Sequence, residues 1–145
     1  MRFVLDTDVL VAAIRSDRGA SRQLLICALG GKIEILASVP LMVEYEAVLT
    51  RPEHLKASGL SAKQVNEILD AVAKVSISIH LRFLWRPQLK DPADEMVLET
   101  AVNGGTDRLV TFNVRHLAEA AHGFGIRVLQ PRDAWKEVQR QNEKE

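Results

Sequence analysis

Phe3-Val4-Leu5-Asp6-Thr7-Asp8 is an apolar triplet that ends abruptly in two carboxylates, and Val9-Leu10-Val11-Ala12-Ala13-Ile14 follows directly. The first run suits a buried strand, and the second suits a helix packed on it. Asp6 then stands at the carboxyl end of a strand, the edge at which ligands bind in open α/β sheets. An ionised group there is costly unless it is paired, hydrogen-bonded or holding a metal. Asp6 also has an ordinary role as N-cap of the helix near Val9, with Thr7 and Asp8 as rival caps. A cap accounts for one short polar residue, not for an acid pair behind a buried strand.

Working outward, the chain alternates short apolar runs with helical stripes. Ser16 to Ser21 reads as a loop, and Leu24, Leu25, Ala28 and Leu29 as a helix stopped by Gly30-Gly31. Ile33, Ile35 and Leu36 form a short strand. Ser38 caps a helix with Pro40 in its first turn, and Pro52 marks its end. Ser61 caps another through about Val75, and Ser76-Ile77-Ser78-Ile79 alternates like a strand. Trp85-Arg86-Pro87 falls in a connecting loop. Asp91-Pro92-Ala93-Asp94 opens a helix closed by Gly104-Gly105, Leu109-Val110-Thr111 is a strand, and Val114 to Ala121 is a helix. Ile126 to Leu129 makes the last strand before a terminal helix from Pro131. This alternation predicts a parallel sheet covered on both faces. One domain over 1–137 is expected, with a tail over 138–145 that frays from Arg140.

Composition excludes several classes. The 145 residues fit one domain with a real core, and 47% hydrophobic with 26% charged residues is ordinary for a globular protein. Lys and Arg number 19, as do Asp and Glu, so any nucleic-acid binding must use a local patch. Cys27 is the one cysteine, which removes an intrachain disulfide and points to a cytoplasmic location. No apolar run reaches membrane-spanning length, and the N-terminus lacks the pattern of a signal peptide.

The other polar candidates each have a plain structural role. Glu44 and Glu46 fall on opposite margins of one helical stripe, so periodicity does not choose between them. Asp91 and Asp94 begin their helix in the manner of a cap and a dipole-complementing acid. Asn113 lies on the same edge as Asp6 and suits an N-cap. His54, His80, His116 and His122 show no metal-ligand spacing. Cys27 and Trp135 read as packing. Arg15, Arg18 and Arg22 crowd the loop beside the predicted site edge.

Four segments together carry a resemblance. Phe3 to Val11 resembles the opening of a PIN domain. Ser38-Val39-Pro40-Leu41-Met42-Val43-Glu44-Tyr45-Glu46 resembles its second motif, Asp91-Pro92-Ala93-Asp94-Glu95-Met96-Val97 its third, and Leu109-Val110-Thr111-Phe112-Asn113 its fourth. Order and spacing match from Met1 to about Trp135. The chain looks most like the bacterial VapC-like toxins of toxin–antitoxin pairs. The resemblance implies a three-layer, Rossmann-like α/β/α sandwich with a parallel sheet of four to five strands. It implies a Mg²⁺- or Mn²⁺-dependent endoribonuclease, often a homodimer, with a protein antitoxin as partner and RNA as substrate. It selects Glu44 over Glu46 and Asp94 over Asp91.

On this reading Asp6, Glu44, Asp94 and Asn113 are catalytic. Asp6 and Asp94 are direct metal ligands, and Glu44 is a ligand or orients the water. Thr7, Asp8 and Thr111 support them, and Arg15, Arg18 and Arg22 are candidate phosphate contacts. Hard divalent cations take oxygen ligands, and clustered carboxylates repel unless a cation neutralises them. This chain departs from many relatives at Asn113 and His116, where they carry acids, and at Asp8, where they carry asparagine. The first two departures favour a one-metal or weakly active site. Two rival functions are a PIN fold acting as a binding module, and a haloacid-dehalogenase-like phosphatase using Asp6 and Asp8.

Overall fold

The computed structural model describes residues 1–82 and 92–144. Among these, five strands and eight helices alternate. They are β1 (Arg2–Leu5), α1 (Thr7–Arg15), α2 (Ala20–Leu29), β2 (Glu34–Ala37), α3 (Val39–Leu49), α4 (Pro52–Ser58), α5 (Ala62–Val75) and β3 (Ile77–Ser78). There follow α6 (Pro92–Gly104), β4 (Arg108–Val110), α7 (Val114–His122), β5 (Arg127–Leu129) and α8 (Pro131–Lys144). The sheet order is β3-β2-β1-β4-β5, and every pairing is parallel. Parallel strands need crossovers, which place helices on both faces and make a three-layer α/β/α sandwich, as predicted.

Phe3, Val4 and Leu5 are almost fully buried, as an inner strand between two helix layers requires. α6 packs on β1, β2 and β4, while α2 packs on α1, α5 and α8. Leu24, Leu41, Leu49, Leu109 and Leu117 fill the core between the layers. Cys27 is buried and Trp135 packs against this core.

Several local signals act as read. Ser38 accepts from Leu41 N–H, and Ser61 with Gln64 forms a reciprocal capping box. Three differences stand out. The helix α4 has no counterpart in the sequence reading, although Pro52 at its first turn and Gly59 beyond its end, at φ 74°, mark it. It buries no residue fully, so it lacks the apolar stripe on which helix recognition rests. The expected tail is helical through Lys144, and its first residue, Val138, is buried. Asn113 holds the N-cap position of α7, but its side chain makes no capping hydrogen bond. The readings for Trp85-Arg86-Pro87 and Asp91 lie outside the described residues.

Candidate active site

Asp6 leaves β1 at its carboxyl end and is the N-cap of α1. Its N–H donates to Val110 O at 2.9 Å, which fixes it over the gap between β1 and β4. Here the strand order reverses: β2 and β3 extend to one side of β1, and β4 and β5 to the other. Such a switch point opens a crevice above the sheet.

The Asp6 carboxylate is only 5% exposed. Its Oδ1 accepts from Thr7 N–H at 2.7 Å, and its Oδ2 accepts from the Thr111 hydroxyl at 2.7 Å. Thr111 Oγ1 in turn accepts from Asn113 N–H at 3.0 Å, which turns the hydroxyl proton toward the acids. Asp8 Oδ2 lies 3.3 Å from the same hydroxyl and accepts from Phe112 N–H at 3.1 Å. Asp8 Oδ1 is buried with no hydrogen-bond partner. Asp6 is thus a cap and a member of an acid pair at once, since one oxygen suffices for the cap.

Among the described residues the donors that reach this pair are neutral, and the charges it feels are negative. Burial above all, then Asp8, pushes the Asp6 carboxyl up to about 7, with Asp94 adding to the rise. The hydrogen bonds from Thr111 and Thr7 pull the other way and do not prevail. Asp8 is raised as well, chiefly by burial, again with a contribution from Asp94. Asp94 is buried in the first turn of α6. Three acids from two distant segments therefore act on one another at the predicted edge.

α3 closes the site from another side. The Tyr45 hydroxyl donates to Leu5 O, the last residue of β1. Burial first, and Asp6 second, raise its phenol above the usual range. Ser38 Oγ lies 2.8 Å from Thr100 Oγ1, whose own proton goes to Met96 O at 2.8 Å. This ties the start of α3 to α6, the helix that carries Asp94. Glu44 is half-buried beside Tyr45, and its side chain makes no hydrogen bond or ion pair among the described residues. The structure does not add Glu44 to the acids acting on Asp6. Glu46 is exposed and lines a separate groove with Met42 and Asp70.

The arginines separate. Arg22 donates through Nε to Ala13 O, with Asp17 at 3.9 Å, and so belongs to the α1–α2 corner. Arg15 Nη1 lies 3.5 Å from His54 Nδ1 on the exposed surface. Arg18 is exposed. Arg132, which the sequence reading passed over, lines a cavity with Phe112 beside the acid pair. Glu95 and Glu99 are also buried on α6, and neither lacks a partner.

Among the described residues no group of three or more Asp, Glu, His or Cys side chains is placed to hold a metal ion, so Asp6, Glu44 and Asp94 do not stand together as a three-ligand set. Magnesium does not demand one, since it is commonly held by one or two carboxylates and keeps several waters. The donor set fits such an ion: hard oxygens, burial and then mutual repulsion that raise Asp6, and one orphaned oxygen on Asp8.

The PIN domain family model matches residues 2–115, which includes Asp6, Asp8, Glu44, Asp94 and Asn113. A crystal structure of VapBC2 from Rickettsia felis, bound to a DNA fragment from their promoter, contains a chain of the same fold. The TM-score is 0.59 at 16% identity, covering 90% of this chain and 98% of that one. No curated protein matches the sequence. PIN domains are generally divalent-metal-dependent nucleases, and this membership sets the phosphatase reading aside. The crevice acids, the sheet order and the match over most of the chain agree: this protein belongs to the PIN domain family.

Proposed function

We propose that this protein is a Mg²⁺- or Mn²⁺-dependent endoribonuclease, the toxin of a toxin–antitoxin pair. The observation that carries the reading is the mutual action of Asp6, Asp8 and Asp94 above the β1–β4 gap, in a chain of this family. Asp6 and Asp94 would hold the cation, with Asp8 Oδ1 as a further oxygen donor. When bound, the cation makes hydroxide available from water near neutral pH and offsets charge on the scissile phosphate.

The chain's own groups supply positioning. Thr7 N–H and the Thr111 hydroxyl fix both oxygens of Asp6, so its rotamer needs no rearrangement when substrate arrives. Phe112 N–H holds Asp8 in the same way. Glu44, the neighbour in sequence of the anchored Tyr45, would orient the attacking water. Asn113 offers neutral polar groups where an acid would add charge, which favours one cation over two. RNA is the substrate, a protein antitoxin the inhibitor, and a homodimer the functional form. The R. felis chain, from a complex of the VapBC type, supports the fold behind this reading.

The test is incubation of the purified protein with structured and unstructured RNAs in Mg²⁺, Mn²⁺ or EDTA. Cleavage is expected with either metal and none in EDTA. Metal-dependent stabilisation without cleavage of any RNA would favour the second reading, a binding module, which neutral Asn113 supports.

A further inference from the structure

A second cavity lies beside the acids, and no step above uses it. It has a volume of about 300 Å³ and is lined by Ser16, Ser21, Phe112, Gln130, Pro131 and Arg132 among others. Three features share it. Phe112 is 48% exposed, an unusual state for a large aromatic ring. Its backbone N–H holds Asp8, so the residue that lines the cavity is also tied to the acid pair. Ser21 is only 4% exposed, yet its hydroxyl has no hydrogen-bond partner. Finally, the first turn of α8, a helix of 14 residues, faces the cavity through Gln130, Pro131 and Arg132.

Each feature selects a part of the same ligand. An exposed aromatic ring offers a face for base stacking, which is tolerant of sequence. A buried hydroxyl without a partner costs free energy unless a ligand completes it. The Arg132 guanidinium at the start of α8 attracts a phosphate; Pro131 there has no N–H, and the Asp133 and Ala134 N–H groups already donate to Gln130 O. Asp133 occupies the same turn but does not line the cavity. We infer that this cavity is a nucleotide subsite: it takes one unstacked nucleotide of single-stranded RNA next to the scissile phosphate. The base lies on Phe112, its edge meets Ser21, and its phosphate meets Arg132 at the start of α8.

This inference rests on the ribonuclease reading for the position of the cut, but binding tests it separately. Fluorescein-labelled hexaribonucleotides of A, C, G or U are titrated in EDTA against the Asp6→Asn chain, which binds without cutting. Adding Phe112→Ala should weaken the best hexamer about tenfold, and Phe112→Tyr should restore it. Arg132→Gln should weaken it and flatten its salt dependence. Ser21→Ala should weaken one base more than the others, with an unchanged or higher Tm because the orphaned hydroxyl is gone. In the parent background, Phe112→Ala should raise KM about tenfold while kcat changes less than twofold. Hexamer affinity unaffected by both Phe112→Ala and Arg132→Gln would overturn the subsite and leave the cavity to a protein segment. Hexamer binding that depends on Phe112, with no cleavage of any RNA, would uphold the subsite and overturn the nuclease reading.

Discussion

The two edges of the sheet treat their acids in opposite ways. At the amino edge, Glu137 of α8 lies between two arginines from the starts of β4 and β5. Arg127 Nη2 donates to it at 2.7 Å, and Arg108 Nε stands 3.6 Å away. At the carboxyl edge, among the described residues, Asp6 and Asp8 accept only from neutral donors and feel further negative charge. Arginine neutralises the acid that joins α8 to the sheet, whereas among the described residues no cationic side chain partners Asp6 or Asp8. The difference teaches that an acid's role is read from what neutralises it, not from its burial.

The largest expected effect tests the carboxyl edge. Asp6→Asn and Asp94→Asn should each lower metal-dependent RNA cleavage by at least about a hundredfold, while circular dichroism stays unchanged. The matching change at the other edge, Glu137→Gln, should leave cleavage within about twofold. It should lower stability by about 1 kcal/mol, because two arginines lose their counter-charge at a partly exposed site. A large loss of cleavage in Glu137→Gln would erase the distinction between the edges.

A second contrast lies in pH. The Asp6 carboxyl rises from 3.8 to about 7 on folding, so the folded chain binds that proton more tightly than the unfolded one. Stability of the metal-free protein therefore falls as pH rises through this window, by on the order of 2–4 kcal/mol, and stays low above it. Asp6→Asn should remove that fall and raise the metal-free Tm at pH 8. Mg²⁺ or Mn²⁺ should raise the Tm of the parent more at pH 8 than at pH 5, and should do little for Asp6→Asn. Thermal melts in EDTA and in metal, at both pH values, check this.

Smaller effects sharpen the picture of the support around Asp6. Thr111→Val keeps the shape but removes the donor to Asp6 and the acceptor for Asn113 N–H. It should cost about 1–2 kcal/mol and lower cleavage about tenfold. Glu44→Gln should lower cleavage, whereas Glu46→Gln should change it less than twofold, since Glu46 lines a different groove. Equal effects of the two substitutions would remove Glu44 from the site.

The sequence made the frame legible because its signals are local. Three apolar residues before Asp6, Ser38 before Pro40, and Ser61 with Gln64 each specify structure within a few positions. Asp6 and Thr111 were legible as strand-end residues, and the family's motifs pointed to Asp94. What escaped depends on long-range packing. The seven-residue α4 carries no stripe, and Val138 is buried only because α8 folds back on α2. Asn113 looked like a cap, but its N–H serves Thr111 and its side chain caps nothing. Asp8 was read as a supporting charge, and the loss of a partner for its Oδ1 appears only after folding. Phe112, Ser21 and Arg132 lie far apart in the chain, so no spacing could join them.

The central claim is that Asp6 and its acidic neighbours serve a metal-dependent cut in RNA. The most direct measurement compares the parent with Asp6→Asn, at equal concentration, on one RNA in Mn²⁺ and in EDTA. Fragments are expected from the parent in Mn²⁺ alone, with intact RNA in the three other samples. Fragments from Asp6→Asn at the parent's rate would contradict it.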